Sequence, residues 1–167
     1  MEKLAGQVEN ILVDMISFYR CLKDILEQEK NAVESLDMDA LWRLDAQKKK
    51  LTSTIEKKQT VLNLLLETRA RQLNVDPASF VLSDLIKNLS VSPSDKSTLT
   101  GFKHTLQVTQ EEVLHLAGSN KAHTNEFLTV INDIYATIVH TAREKEYDHF
   151  GGFVQGRTAT SFISAEV

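Results

Sequence analysis

An all-α fold is the fold class that this sequence predicts, and three features predict it. Apolar residues recur at alternating steps of four and three over most of the chain, which is the spacing of a coiled-coil seam. Two prolines and six glycines in 167 residues are few for a protein built from loops and turns. A chain of this length can also bury a continuous core. We therefore expect long helices packed as a coiled-coil-like bundle.

The first predicted helix runs from about Leu4 to Glu34. Its apolar seam consists of Leu4, Val8, Ile11, Met15, Phe18, Leu22 and Ile25. The segment 35–39 closes this helix and starts the next one. Asp37 is the predicted N-cap, because its carboxylate can accept a hydrogen bond from a free N–H of the first turn.

The second predicted helix continues to about Leu73. Its seam consists of Leu41, Leu44, Lys48, Leu51, Ile55, Lys58, Leu62, Leu65 and Arg69. Only a few residues separate the two predicted helices, so the second helix must fold back antiparallel on the first. Residues 1–37 carry four Lys/Arg and eight Asp/Glu, and residues 38–73 carry eight and four, so opposite charges favour the pairing. Trp42 either covers the end of this hairpin or stands exposed as an aromatic anchor.

A break follows the hairpin, because Pro77 disfavours a helical conformation at the residue before it. Residues 78–90 allow a short amphipathic helix. Ser92 then resembles a cap with proline at the first helical position, and it opens a long third helix that keeps helical spacing to about Lys145. Gly118 is a weak point, since glycine costs about 1 kcal/mol inside a helix. The third helix is therefore either continuous or bent near Gly118 into a fourth helix.

Two regions differ in composition along the chain. Residues 1–147 are predicted to form the helical bundle domain. Residues 148–167 contain three glycines and scattered serines and threonines, a composition that predicts a flexible C-terminal tail.

The third helix carries more apolar residues near its end than one seam requires. A seam needs an apolar residue at every third or fourth position, whereas adjacent pairs are apolar at 127/128, 130/131, 134/135 and 138/139. A second face must therefore be covered, and we expect it to bind a partner. The predicted partner-binding residues are Phe127, Leu128, Ile131, Ile134, Tyr135, Ile138 and Val139, extended by Phe150 and Phe153.

Several function classes are disfavoured. The formal net charge of −4 offers no basic footprint for nucleic acid. The apolar runs are far shorter than a membrane span, and the N-terminal residues lack the pattern of a signal peptide. Cys21 is the only cysteine, so no intramolecular disulfide can form and a reducing, cytoplasmic compartment is expected. No membrane insertion is expected.

Two Glu-x-x-His patterns are the only hint of metal chemistry. Glu112 with His115, and Glu146 with His149, have the spacing that holds iron in di-iron helical bundles. The first pair flanks the predicted seam instead of occupying it, and the second lies beside two glycines at a helix end. We therefore expect no metal, no cofactor and no catalytic residue, and predict that the protein is not an enzyme.

The stretch from Leu26 to Leu51 carries a family pattern. Its residues are Glu29, Ala32, Val33, Asp37, Asp39, Ala40, Leu41, Leu44, Lys48 and Leu51. An acid in the first helix, Asp-x-acid-x-Leu at the turn and Lys-x-x-Leu in the second helix resemble the hairpin of FlgN-type flagellar export chaperones. Asn125 ahead of an apolar run, and Tyr147-Asp148-x-x-Gly151 at the end of the last helix, are similar to that family as well. The resemblance adds Asn125 to the predicted partner-binding residues.

This resemblance implies a cytoplasmic chaperone for the hook–filament junction proteins, which are hook-associated proteins of the FlgK and FlgL kind. Such a chaperone delivers its clients to the flagellar type III export gate or to components of its ATPase complex. The alternative is a self-assembling coiled-coil scaffold or another helical component of a secretion system. In that alternative the surplus apolar face meets its own copy, and a homodimer also stays open.

Overall fold

The structure, a computed structural model, describes the backbone of residues 2–143 and the side chains of residues 3–139. This part of the chain contains four α-helices and no strand, so the predicted all-α fold is confirmed. The helices are α1 (Glu2–Ser35), α2 (Met38–Gln72), α3 (Leu82–Asn88) and α4 (Pro93–Arg143). The chain divides into two compact units, residues 1–123 and residues 124–167.

Helices α1 and α2 form the predicted antiparallel hairpin. Lys58 Nζ lies 2.7 Å from Asp14 Oδ2, and Lys48 pairs with Glu29. Residue numbers rise along α1 and fall along α2 between these two pairs, so the helices run in opposite directions. Every predicted seam residue of both helices is buried or half-buried. The 4–3 spacing of the sequence therefore identified the packed faces correctly.

Helix α1 ends in a tight turn, and helix α2 begins directly after it. The Leu36 N–H donates to the Val33 carbonyl at 3.2 Å, and the Asp37 N–H donates to the Ala32 carbonyl at 3.0 Å. This pair of bonds is a Schellman motif, which requires a left-handed residue. Leu36 adopts it with φ of 58°. Asp37 is the N-cap of α2, as predicted, and its carboxylate accepts from the Ala40 N–H at 2.9 Å.

Replacing Leu36 by glycine should stabilise the protein by roughly 0.5–1 kcal/mol. A left-handed conformation costs an L-residue about 1–2 kcal/mol, and glycine avoids that cost at a smaller entropic loss. Little packing is lost, because Leu36 is 53% exposed. Urea unfolding of the variant measures the gain. Leu36→Ala is the matched control, since it removes the side chain and keeps the strain. Equal stability of the two variants would contradict the interpretation.

The core of the first unit lies at the end of the hairpin opposite the turn. Its most completely buried large side chains are Val8, Leu12, Met15, Leu85 and Leu89. Helix α3 thus contributes directly to this cluster, and Leu62 and Ala70 of α2 line it as well. The short helix after the hairpin therefore fills the space between the last turns of α2 and the start of α4.

Helix α4 packs along the hairpin with its first seven to eight turns. Leu99 and Leu106 belong to the cluster around the first half of α1, while Val113 packs with Leu22 and Leu26. Residue numbers rise together in the two helices, so this part of α4 runs parallel to α1. The first unit is consequently a three-helix bundle with α3 packed at one end.

The start of α4 matches its prediction. Pro93 is its first residue, and the Ser92 hydroxyl accepts from the Asp95 N–H at 3.1 Å. The helix then continues through Gly118 to Arg143 as one element, so the alternative of a fourth helix beginning at Gly118 is not observed. The predicted helix end near Lys145 and the predicted tail, residues 148–167, lie outside the described residues.

Candidate functional site

A polar network joins all three long helices inside the first unit. Glu29 on α1 pairs with Lys48 on α2. Asn120 on α4 is 3% exposed, and its Nδ2 donates to the Leu26 carbonyl at 2.7 Å and to Glu29 Oε2 at 3.2 Å. Buried polar groups with directional partners fix the register of packed helices. Glu29 and Lys48 belong to the family pattern, so part of that pattern is a structural ion pair.

A second link between α1 and α4 lies on the surface. Lys23 Nζ lies 2.8 Å from Glu112 Oε2, and this hydrogen bond is the main cause that raises the pKa of Lys23 above its usual value. Glu112 is the acid of the first Glu-x-x-His pattern, and its partner in the pattern, His115, is exposed. Among the described residues, no group of three or more His, Cys, Asp or Glu side chains is placed to hold a metal ion. Glu146 and His149 lie outside them.

A groove between α1, α2 and α4 encloses 490 Å³ in the first unit. Its lining is mainly aliphatic and includes Leu22, Leu26, Val113 and Leu114, and its one cation, Lys48, is already paired with Glu29. Neither a carboxylate nor an imidazole lines it in the described chain. The groove therefore suits apolar packing and offers no pair for acid–base chemistry.

Residues 124–139 of the second unit carry a dense exposed apolar surface. Of the sixteen large hydrophobic residues that are exposed in the described chain, six fall in the eleven positions from 128 to 138. They are Leu128 (52% exposed), Val130 (53%), Ile131 (47%), Ile134 (55%), Tyr135 (65%) and Ile138 (60%). Phe127 and Val139 are half-buried at the two ends of this run. We call these eight residues the apolar face.

The apolar face occupies one side of the helix. At 100° per residue its members cover about half of the circumference, and the other half carries Glu126, Thr129, Asn132, Asp133, Ala136 and Thr137. Asn125 lies next to the border between the two halves, and its side chain is exposed. The predicted partner-binding residues 127–139 thus share one exposed surface. Phe150 and Phe153 lie outside the described residues, and their role stays a prediction.

Sequence reasoning located the apolar face through its doubled apolar positions, but it missed the polar network. In the sequence, Asn120 shows only that it continues the helical spacing of the third predicted helix. Its hydrogen-bond partners are 91 and 94 residues away, counted to Glu29 and Leu26. Only the three-dimensional register of α1 and α4 brings these groups together, so no local signal could have identified them.

Within the described residues, the fold and these surfaces define a helical-bundle protein that exposes an extended apolar face on α4. No described helix has the length and apolarity needed to cross a membrane. The FlgN protein family model matches residues 1–152, so the chain belongs to the FlgN family. It is therefore a flagellar export chaperone, and its family is not one of enzymes. No curated protein and no solved structure matches the chain.

Proposed function

We propose that this chaperone binds the hook-associated proteins, of the FlgK and FlgL kind, through the apolar face of α4, and delivers them in the cytoplasm to the export gate or its ATPase complex. The observation that carries the proposal is the exposure of six large apolar side chains within residues 128–138. Asn125, Phe150 and Phe153 are proposed to extend the contact at the two ends.

The physical case rests on complementarity between two amphipathic helices. An exposed apolar surface of this density is a mark of a protein-binding site, because water around it is released when a partner covers it. Hook-type subunits carry amphipathic terminal helices that would associate with one another before export. A helix of this kind can lie along the apolar face with side chains at positions i, i+3, i+4 and i+7 as anchors.

The available free energy is consistent with a reversible complex. Full burial of a large apolar side chain stabilises by about 1.5–3 kcal/mol, so covering the exposed half of each of the six gives about 1 kcal/mol apiece. The sum is about 6 kcal/mol from this chain, and burial of the client's own apolar side chains adds a further contribution that offsets the cost of association, so that micromolar binding, about 8 kcal/mol net, is within reach. A chaperone that must release its client needs binding of this moderate strength.

Size-exclusion chromatography with a purified C-terminal segment of a FlgK-like protein tests the proposal directly. At tens of micromolar, which lies above a dissociation constant of about 1 μM, the two chains should elute together. A chain truncated after Phe127 should elute apart from the segment, while circular dichroism should show that its 4–73 hairpin is still helical. Separate elution of the full-length chain, or full binding by the truncated chain, would rule out this assignment.

Self-association is the second candidate, because the same apolar face could meet its own copy. Light scattering over a range of protein concentrations distinguishes self-association from client binding. An increase of mass with concentration that Ile134→Asp abolishes would favour the scaffold or homodimer. A constant monomer mass would remove that candidate and leave the apolar face for a client.

A further inference from the structure

The outer surface of α2 carries a row of cations that form no ion pair within the described residues. Residues 40–66 contain six Lys/Arg and only two Asp/Glu. Three of the cations pair with carboxylates of the chain, namely Lys48, Lys49 and Lys58. Three others are exposed and form no ion pair within the described residues, namely Arg43, Lys50 and Lys57. We call these three residues the basic stripe.

The basic stripe is a straight line along the helix. Its members are seven residues apart, so neighbours lie about 20° apart around the axis, the two ends about 40° apart, and the step along the axis is about 10 Å. The two acids of this region, Asp45 and Glu56, lie on a different row with Lys49, where Asp45 is already paired at 2.8 Å. On the stripe's own side of α2 the acid nearest to Arg43 is Asp39, one turn earlier; Arg43 Nε donates to the Asp39 backbone carbonyl at 3.3 Å, and the two side chains form no ion pair within the described residues.

Exposed apolar residues lie at both ends of the basic stripe. Trp42 precedes Arg43 by one residue, lies about 100° from it around the axis and is 70% exposed; Met38, which is 58% exposed, lies on the row of Asp45, away from the stripe. One and two turns beyond Lys57 lie Val61 and Leu64, which are 48% and 62% exposed. The exposed position of Trp42 favours the aromatic anchor over the covered hairpin end. The cations lie between Trp42 and Leu64, and together these residues make a surface of about 33 Å along the helix axis.

We infer that this face of α2 docks an acidic amphipathic helix of a partner protein. Carboxylates at seven-residue spacing on that helix meet the basic stripe, and its apolar residues cover Trp42 at one end and Leu64 at the other. A nucleic acid is the weaker occupant, because the chain as a whole has a net charge of −4. This inference does not depend on the proposed binding of hook-associated proteins, because the basic stripe and the apolar face share no residue.

A synthetic peptide provides the probe. It consists of three repeats of Glu-Leu-Ala-Ala-Leu-Glu-Glu with blocked ends and a fluorescent label, and its binding to the full-length chain is measured by fluorescence anisotropy at low salt. We expect saturable binding that weakens as salt is raised, and no binding of a peptide with the same composition in scrambled order. R43E/K50E/K57E should weaken the binding at least about tenfold, because three attractive pairs become repulsive.

The matched control is K30E/K87E/K121E, which changes the net charge equally at three exposed lysines outside the stripe. It should bind the peptide nearly as well as the natural chain, and circular dichroism should show equal helicity for all three proteins. W42A should weaken binding as well, while leaving its salt dependence unchanged. Y135D should bind the peptide normally even where it fails to bind a client.

Four results would overturn the inference. The first is no binding of the peptide, or equal binding of the scrambled peptide. The second is an equal loss in the two triple variants, which would indicate net charge alone. The third is tighter binding to a single-stranded DNA oligonucleotide or to phosphatidylglycerol vesicles than to the peptide. The fourth is self-association of the chain that R43E/K50E/K57E abolishes, which would make a second copy the occupant.

Discussion

Tyr135→Asp should abolish binding of the hook-associated segment and leave the folded protein intact. Tyr135 is 65% exposed on the apolar face, so a carboxylate there stays in water while the chain is free. In the complex that carboxylate would be buried against apolar groups, at a cost of several kcal/mol, which corresponds to a loss of affinity of about 100-fold or more. Isothermal titration calorimetry measures the loss, and thermal unfolding should shift by no more than about 2 °C.

Ala136→Asp is the matched control for this experiment. It adds the same charge at the next residue, which is exposed on the polar half of the helix. Normal binding by this variant would show that position on the helix, and not added charge, decides the result. Normal binding by both variants would remove the apolar face from the client site. Ile138→Asp, at a residue that is 60% exposed, should behave like Tyr135→Asp, whereas Val139 is half-buried and is a less clean probe.

Much of the hairpin could be predicted because its determinants are local. The apolar seams follow from spacing, and they placed both packed faces correctly. Asp37 and Ser92 were recognised as caps because a short oxygen-bearing side chain before a helix has one dominant use. These signals need only a few neighbouring residues. The predicted ends of α1 and α2 and the predicted start of α4 accordingly lie within two residues of those of the structure, whereas α3 begins four residues later than the predicted segment 78–90.

Other features depend on context that the sequence does not display. Leu36 occupies a left-handed position that glycine usually fills, so the turn carried no recognisable residue at that point. The three consecutive lysines 48–50 have different surroundings: Lys48 pairs with Glu29 of α1, Lys49 pairs within α2 and Lys50 belongs to the basic stripe. Such assignments require the rotation of each helix about its axis relative to its neighbours.

The apolar face could be predicted from the sequence only in part. Doubled apolar positions showed that residues 127–139 have more apolar surface than one seam can use, and the six exposed side chains agree with that inference. The sequence left open whether a bend at Gly118 would bury this surface in a fourth helix. One exposed glycine in the sequence does not show whether the helix ends there, because its cost of about 1 kcal/mol is small beside the free energy of helix packing.

Asn120→Asp should destabilise the protein by about 2–4 kcal/mol at pH 7. The substitution keeps the shape of the side chain, but it replaces the Nδ2 donor that serves the Leu26 carbonyl and Glu29 Oε2 with a second carboxylate. Two carboxylates at this separation repel each other, and the Leu26 carbonyl loses a donor in a site where Asn120 is only 3% exposed. Urea unfolding monitored by circular dichroism measures the change.

The pH dependence of this variant distinguishes repulsion from simple loss of packing. Burial beside a carboxylate raises the pKa of an introduced carboxyl above its unfolded value of about 3.9. At a pH between the unfolded pKa of this carboxyl and its raised folded pKa, the folded state binds more protons than the unfolded state. The stability of the variant therefore falls as pH rises through this range. The deficit relative to the natural chain should therefore grow between about pH 4 and pH 7, the window that runs upward from that unfolded value.

Asn63→Asp is the control, because Asn63 is exposed on α2, and its stability should stay within about 0.5 kcal/mol of the natural chain. A deficit of Asn120→Asp that does not change with pH would contradict the repulsion from Glu29. Stability equal to that of the natural chain at pH 7 would show that the network does not hold α4 against α1. A pH-dependent loss of stability in Asn120→Asp would instead show that Asn120 fixes the register of α4 on the hairpin. Asn120 is the last buried residue of α4 in the first unit, and its Nδ2 donates to a backbone carbonyl of α1.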